Sequence, residues 1–318
     1  MKSPLLALPG AVAAEGPDEG VAAHYGDLFR EQRALAAGRG FTDLSHRGVI
    51  TVTGPDRLSW LHLLLTQHVS ELPPQQATEA LVLSPNGHVE HALYLVDDGE
   101  TSWIHVEPGD APALVTYLES MKFWNRVEVA DATERYAVVF LPAGSTAPVE
   151  RAAAVRELPW GRDLFLPRAE LAAAVADFGP AAGIWAYEAL RVEGHRPRLG
   201  FETDHRTIPH EVDWLGSAVH LQKGCYRGQE TVARVHNLGR PPRRLVFLHL
   251  DGTAEKLPAH GTEVRVEGQE RPVGFVTSAA RHHELGPIAL ALVKRNTPVD
   301  AVLLADGVPG TQDVIVPA

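Results

Sequence analysis

One cysteine, Cys225, and two methionines are the only sulfur in 318 residues. A single thiol excludes any disulfide within the chain and any metal cage built from cysteines alone. It agrees with a reducing compartment, and the chain is expected in the cytoplasm. Cations are also scarce: 29 Lys and Arg stand against 40 Asp and Glu, a formal charge of -11. That balance argues against a chain built to neutralise nucleic-acid phosphate along its length, so direct nucleic-acid binding is not expected. No apolar run approaches the ~18 residues of a membrane span. Pro4, Pro9 and Gly10 interrupt the apolar N-terminus, which reads as an extended arm rather than a signal peptide. No Gly-x-Gly-x-x-Gly follows a strand, and there is no phosphate-binding Gly-rich loop ending in Lys-Ser/Thr and no Gly-x-Ser-x-Gly. Dinucleotide redox, nucleotide hydrolysis and serine hydrolysis fall with them. The 16 histidines never take the helical His-x-x-x-His spacing, and His88 and His91 point to opposite faces of a strand, so no metal site is expected.

What is present is a soluble globular composition, 45% hydrophobic and 22% charged, over a length that suits two or three domains. Ala22 to Ala37 has helical spacing, ended by Gly38. The β-branched run from Gly48 to Thr53 leads through Gly54-Pro55-Asp56 into a helix with Leu58, Leu61, Leu64 and Leu65 on one face. Ala80 to Ser84 and Val89 to Val96 flank Pro85-Asn86-Gly87, a hairpin signal. A strand over Ser102 to Glu107, a helix over Ala111 to Met121 and a strand near Val127 and Val129 complete a ferredoxin-like unit with an added strand, residues 47–131. Residues 1–46 and 132–240 supply a partner α/β layer, with a strand over Tyr136 to Leu141, helices at Leu171 and Ile184, and a surface loop from Pro142 to Arg156. After Arg240-Pro241-Pro242 come short strands divided by Gly, Pro and Asp, which read as an antiparallel barrel over residues 241–318. The fold class is α+β.

Chemistry concentrates in Lys223-Gly224-Cys225-Tyr226-Arg227-Gly228-Gln229-Glu230. Glycines beside a functional group mark backbone that takes an unusual φ or passes close to a neighbour. A thiol set between Lys223 and Arg227 has reason to favour thiolate, whereas an inert buried cysteine on a turn is the bland alternative. Glu193 ends a helix, where the dipole disfavours a carboxylate. It suits the amidine-like edge of a pterin or purine, or else a salt bridge to Arg191 or Arg196. Trp124 beside Asn125-Arg126 suits the wall of a flat-ligand pocket, with a core position as the alternative.

Together these motifs resemble the YgfZ branch of the folate-binding aminomethyltransferase (glycine-cleavage T-protein) superfamily. The octapeptide from Lys223 to Glu230 is that branch's signature, supported by Asp43-Leu44-Ser45-His46-Arg47-Gly48, Val52-Thr53-Gly54-Pro55-Asp56 and Leu190-Arg191-Val192-Glu193-Gly194. The resemblance implies three modules around a central opening for tetrahydrofolate or a one-carbon derivative. In it Glu193 matches the pterin-binding carboxylate and Cys225 the functional cysteine, with Lys223, Tyr226, Arg227, Trp124 and Arg126 as further cofactor-site candidates. It implies a role in making or maintaining iron–sulfur proteins, tRNA-modifying enzymes among them, with those proteins as partners. Aminomethyltransferases carry Asp after Lys-Gly and paired Asp residues in the hairpin after Asn-Gly, one of them needed for catalysis. Here Cys225 replaces the former, and His91 and Ala92 stand at the latter, with Glu90 the only nearby acid. Folate binding without efficient glycine cleavage is the expectation, and a folate-dependent aminomethyl or one-carbon transferase is the alternative.

Overall fold

The computed structural model describes residues 2–253 and 256–317. It divides into two compact units, one of residues 1–82 and 91–187, the other of residues 83–90 and 188–318.

The first unit holds two five-stranded sheets. In one, the strands run in the order Ala77–Leu83, Val89–Asp97, Thr101–Val106, Gly48–Thr53, Glu128–Asp131. Without the edge strand Ala77–Leu83, this is the ferredoxin-like order expected from the strand and helix succession. Helices Arg57–Leu64 and Ala111–Ser120 cover one face, where Leu61, Leu114 and Leu118 pack with Ile50, Val52, Leu93 and Ile104. The opposite face presents Val49, Val96 and Trp103 to Val138, Phe140 and Phe165 of the second sheet. That sheet runs Ala154–Leu158, Gly161–Pro167, Tyr136–Pro142, Phe41–Asp43, Ala181–Ala182. Leu5, Leu141, Leu164 and Phe178 bury its far side.

Two local readings change. The helix expected from Ala22 begins only at Leu28 and runs to Ala36. Gly26 sits at φ 124°, and the Asp27 side chain accepts the Arg30 N–H at 2.9 Å, which sets the helix start. The freed residues Ala22–His24 form a strand against Val12–Ala13. The loop expected to reach Arg156 ends earlier, because Ala154–Leu158 pairs with Gly161–Pro167 across a tight turn.

A polar layer lies in the first unit on the sheet-facing side of these strands. His105 Nε2 lies 3.0 Å from Asp163 Oδ2, Arg156 donates to the same oxygen at 2.9 Å, and Tyr94 stacks on the imidazole at 4.8 Å. Burial pushes His105 down to about 4. Burial opposes ionisation of Asp163, but His105 and Arg156 beside it hold it well below the usual carboxylate range. The pair is therefore a neutral imidazole donating to a carboxylate.

In the second unit, six antiparallel strands close a barrel in the order Arg243–Leu250, Gly286–Lys294, Pro272–His282, Glu263–Val266, Leu303–Ala305, Val308–Val314. Val246, Val276, Leu248 and Ala291 are among its core. The last strand, unrecognised in sequence, carries Pro309, Gly310 and exposed polar residues, which dilute the alternation a strand usually shows.

Because His105 titrates near 4 when folded and near 6.5 when unfolded, the unfolded chain binds the extra proton first as pH falls. Its contribution is complete above pH 6.5 and lost on descent to about 4. Urea unfolding at pH 7 and pH 4.5 is expected to show a loss on the order of 2 kcal/mol from this group. In His105→Gln that part of the pH dependence disappears.

Candidate functional site

The candidate residues of the second unit are placed by two glycines. Gly87, in the hairpin tip, has φ 80°, and Gly228 has φ 83°. A Cβ on Gly228 would lie 2.6 Å from Ser84 O and 2.9 Å from Gly87 Cα. One on Gly87 would lie 2.7 Å from Thr231 Cβ. Backbone therefore rests on backbone, a contact only glycine permits. From Gly228 the chain enters the helix Gln229–Leu238, and Gln229 Nε2 reaches back to Lys223 O at 3.3 Å. Arg227 Nη1 donates to Glu90 Oε2 at 2.9 Å, a second tie to the same hairpin.

Held this way, the octapeptide separates its side chains. Lys223 and Tyr226 are buried, with the ammonium 5.3 Å from the ring centroid. Burial pushes Lys223 down to about 8 and Tyr226 up to about 12. Cys225 is exposed, and no atom lies within 4 Å of a Cβ built on Gly224. The inert, packed cysteine is thus not what the fold contains.

Glu193 ends the helix Ile184–Glu193 with its side chain 44% exposed, 3.4 Å from His282 Nε2. Burial lowers the pKa of His282, opposed by the neighbouring Glu193. Arg191 does not take Glu193 as its partner. It donates to Glu188 at 2.9 Å and to Glu202 at 3.0 Å. Glu202 is fully buried and also accepts from Arg198 N at 2.9 Å and Thr277 Oγ1 at 2.8 Å. It ties the segment after Glu193 to the barrel strand Pro272–His282. A second anchor joins Arg243 at the start of the barrel to Asp204 at 2.6 Å and Glu211 at 2.8 Å. The barrel ties of these anchors are not local in sequence: Arg243 lies 32 and 39 residues from its carboxylates, and the hydroxyls that Glu202 accepts from lie 75 and 76 residues away. His282 itself is buried.

Trp124 and Arg126 belong to the first unit and stand in an exposed turn. Trp124 is 88% exposed beside Phe123, with ring centroids 5.9 Å apart, and so is not a core residue. Arg126 is committed to Asp56, with bonds of 3.0 and 2.7 Å from its guanidinium. His91 Nδ1 lies 2.8 Å from Asp110 Oδ1. Among the described residues no group of three or more His, Cys, Asp or Glu could hold a metal ion, and no helix is long and apolar enough to cross a membrane.

Two domain families match. Residues 22–147 match the GCVT N-terminal domain, and residues 243–307 the glycine cleavage T-protein C-terminal barrel domain. An aminomethyltransferase of Geobacillus kaustophilus is 28% identical over 309 residues, covering 85% of this chain and 83% of that protein. The iron-sulfur cluster assembly factor IBA57 homolog, mitochondrial, of Mycosarcoma maydis is 25% identical over 281 residues, covering 77% and 68%. The crystal structure of glycine cleavage system aminomethyltransferase T from Bartonella henselae superposes with a TM-score of 0.80 at 18% identity, covering 96% of this chain and 93% of that one. The shared architecture is a mixed α/β fold with a closed six-stranded C-terminal barrel.

Gly228→Ala tests the backbone contact. The substitution places a methyl group into Ser84 O and Gly87 at a left-handed φ, at a cost of about 1–3 kcal/mol. Faster amide hydrogen exchange across residues 220–230 is expected, against little change in the first unit. Unchanged exchange would mean the contact holds nothing in place.

Proposed function

This chain belongs to the glycine-cleavage T-protein superfamily, and from that premise we propose that it is a tetrahydrofolate-binding accessory protein for assembly or maintenance of iron–sulfur proteins. The observation that carries the reading is the exposed Cys225 on a loop fixed by Gly87, Gly228 and the Glu90–Arg227 pair. The sequence similarity to an iron-sulfur cluster assembly factor over 77% of the chain supports it.

Glu193 suits the pterin. Its carboxylate is 44% exposed and His282 stands near one oxygen, so lone pairs remain to accept two parallel N–H bonds. When bound, tetrahydrofolate supplies a carrier for one-carbon units. Within the octapeptide, Tyr226 and Lys223 pack beneath the turn and Cys225 faces outward, available to a client's thiol or cluster. One thiolate supplies only one of about four protein ligands that a cluster takes, so any cluster contact is shared with a client. Those clients include tRNA-modifying enzymes, and the setting is cytoplasmic.

The two residues separate in a paired experiment. Calorimetric titration of Glu193→Ala with tetrahydrofolate is expected to show binding weakened about tenfold or more, from two lost charge-assisted hydrogen bonds. Cys225→Ala is expected to bind folate like the parent protein yet fail to restore client-enzyme activity in cells lacking the chain. Full restoration by Cys225→Ala would remove the proposal.

The aminomethyltransferase similarity across 85% of the chain favours a second reading, a folate-dependent aminomethyl or one-carbon transferase. Within that reading Glu90 is the nearest acid, and it is already bound to Arg227. Incubation with tetrahydrofolate and a methylated amine donor would then form methylene-tetrahydrofolate, with loss in Glu90→Gln. A rate equal to that of buffer excludes it.

A further inference from the structure

The first unit contains a half-open cavity of about 640 Å³ that the folate reading leaves unused. It lies between residues 25–27, the helix Leu28–Ala36, Arg39 and Pro180–Ala181. Three arginines line it: Arg30 and Arg33, one turn apart on the helix, and Arg39 just beyond the helix end. In a chain of charge -11, none of the three has a carboxylate partner among the described residues. The two acids in the lining are otherwise engaged. Asp27 accepts the Arg30 backbone N–H at 2.9 Å. Glu31 is buried, and its oxygens accept from Tyr25 N at 2.8 Å and Gly183 N at 2.9 Å.

Those two Glu31 bonds also make the cavity preformed, because they join residue 25 on one wall to residue 183 beside the other. Close backbone approach fixes the same wall: a Cβ on Gly40 would lie 2.2 Å from Pro180 O. Tyr25 completes the lining.

We propose that this cavity binds a small phosphate-bearing anion of at least two negative charges, with Arg30, Arg33 and Arg39 as its charged contacts. The volume lies within the range of small-molecule sites. Guanidinium forks suit the planar, bidentate recognition of phosphate oxygens. Acidic surroundings make nonspecific anion attraction weak, so selective binding here depends on the three arginines together.

The test is calorimetric titration of the full chain with inorganic pyrophosphate at roughly 0.15 M salt, with citrate as the carboxylate control. A single site is expected, weakened about tenfold in Arg30→Ala and further in Arg30→Ala/Arg33→Ala. Because both arginines are exposed, melting temperatures of these variants should match the parent protein. Absence of pyrophosphate binding, equal binding in the double variant, or tighter binding of citrate than pyrophosphate would each overturn the assignment. None of these outcomes bears on folate binding through Glu193, which is measured separately.

Discussion

The meeting of Gly87 and Gly228 is the constraint on which the candidate chemistry rests. Both residues sit at left-handed φ, and neither has room for a methyl group. A turn and a helix start are thereby locked together without side chains, which leaves every neighbouring side chain free for another task. Arg227 turns to Glu90 on the same hairpin, Tyr226 goes inward, and Lys223 covers its ring. Cys225 is left facing outward beside Gly224, where the chain has open space. Fixed backbone with free approach lowers the entropy that any encounter at this thiol would cost, compared with a floppy loop.

Buried charge does the anchoring elsewhere in the second unit. Glu202, with Arg191, Thr277 and the Arg198 N–H around it, has no exposed surface and every oxygen satisfied. Replacing such a network by hydrocarbon often costs little, whereas removing one partner strands a charge and is severe. What the network supplies is position: it fixes the chain immediately after Glu193 against one barrel strand. Arg243 with Asp204 and Glu211 fixes the next stretch to another. The carboxylate of Glu193 can therefore remain partly exposed because the heavy anchoring is assigned to its neighbours.

Much of this was legible in the residues. The hairpin at Pro85-Asn86-Gly87, the ferredoxin-like succession and five of the six barrel strands follow from turn chemistry and alternation, which are local signals. The failures share a cause. Ala22–His24 reads as helix because alanine favours helix, and only pairing with Val12–Ala13, residues outside any local window, makes it a strand. The final barrel strand depends on closure with Arg243–Leu250, about sixty residues upstream. Within the site, the octapeptide declared itself through its glycines, but the contact that explains Gly228 lies with a hairpin some 140 residues earlier in the chain. Trp124 shows the converse: a tryptophan next to an arginine suggests a ligand wall, and tertiary structure instead leaves the ring in solvent and gives Arg126 to Asp56.

The hairpin strand also separates the two functional readings on physical grounds. Neighbouring residues on a strand face opposite ways, so Glu90 and His91 cannot serve one substrate atom together. Each is already engaged: Glu90 with Arg227, and His91 with Asp110. An acid or base at the folate nitrogen would need a group within hydrogen-bond reach that is not holding something else in place. Taking Glu90 for that task would release Arg227 and loosen the loop that displays Cys225. The same carboxylate cannot readily do both, and the geometry in which it clamps the thiol-bearing loop is the one this fold adopts.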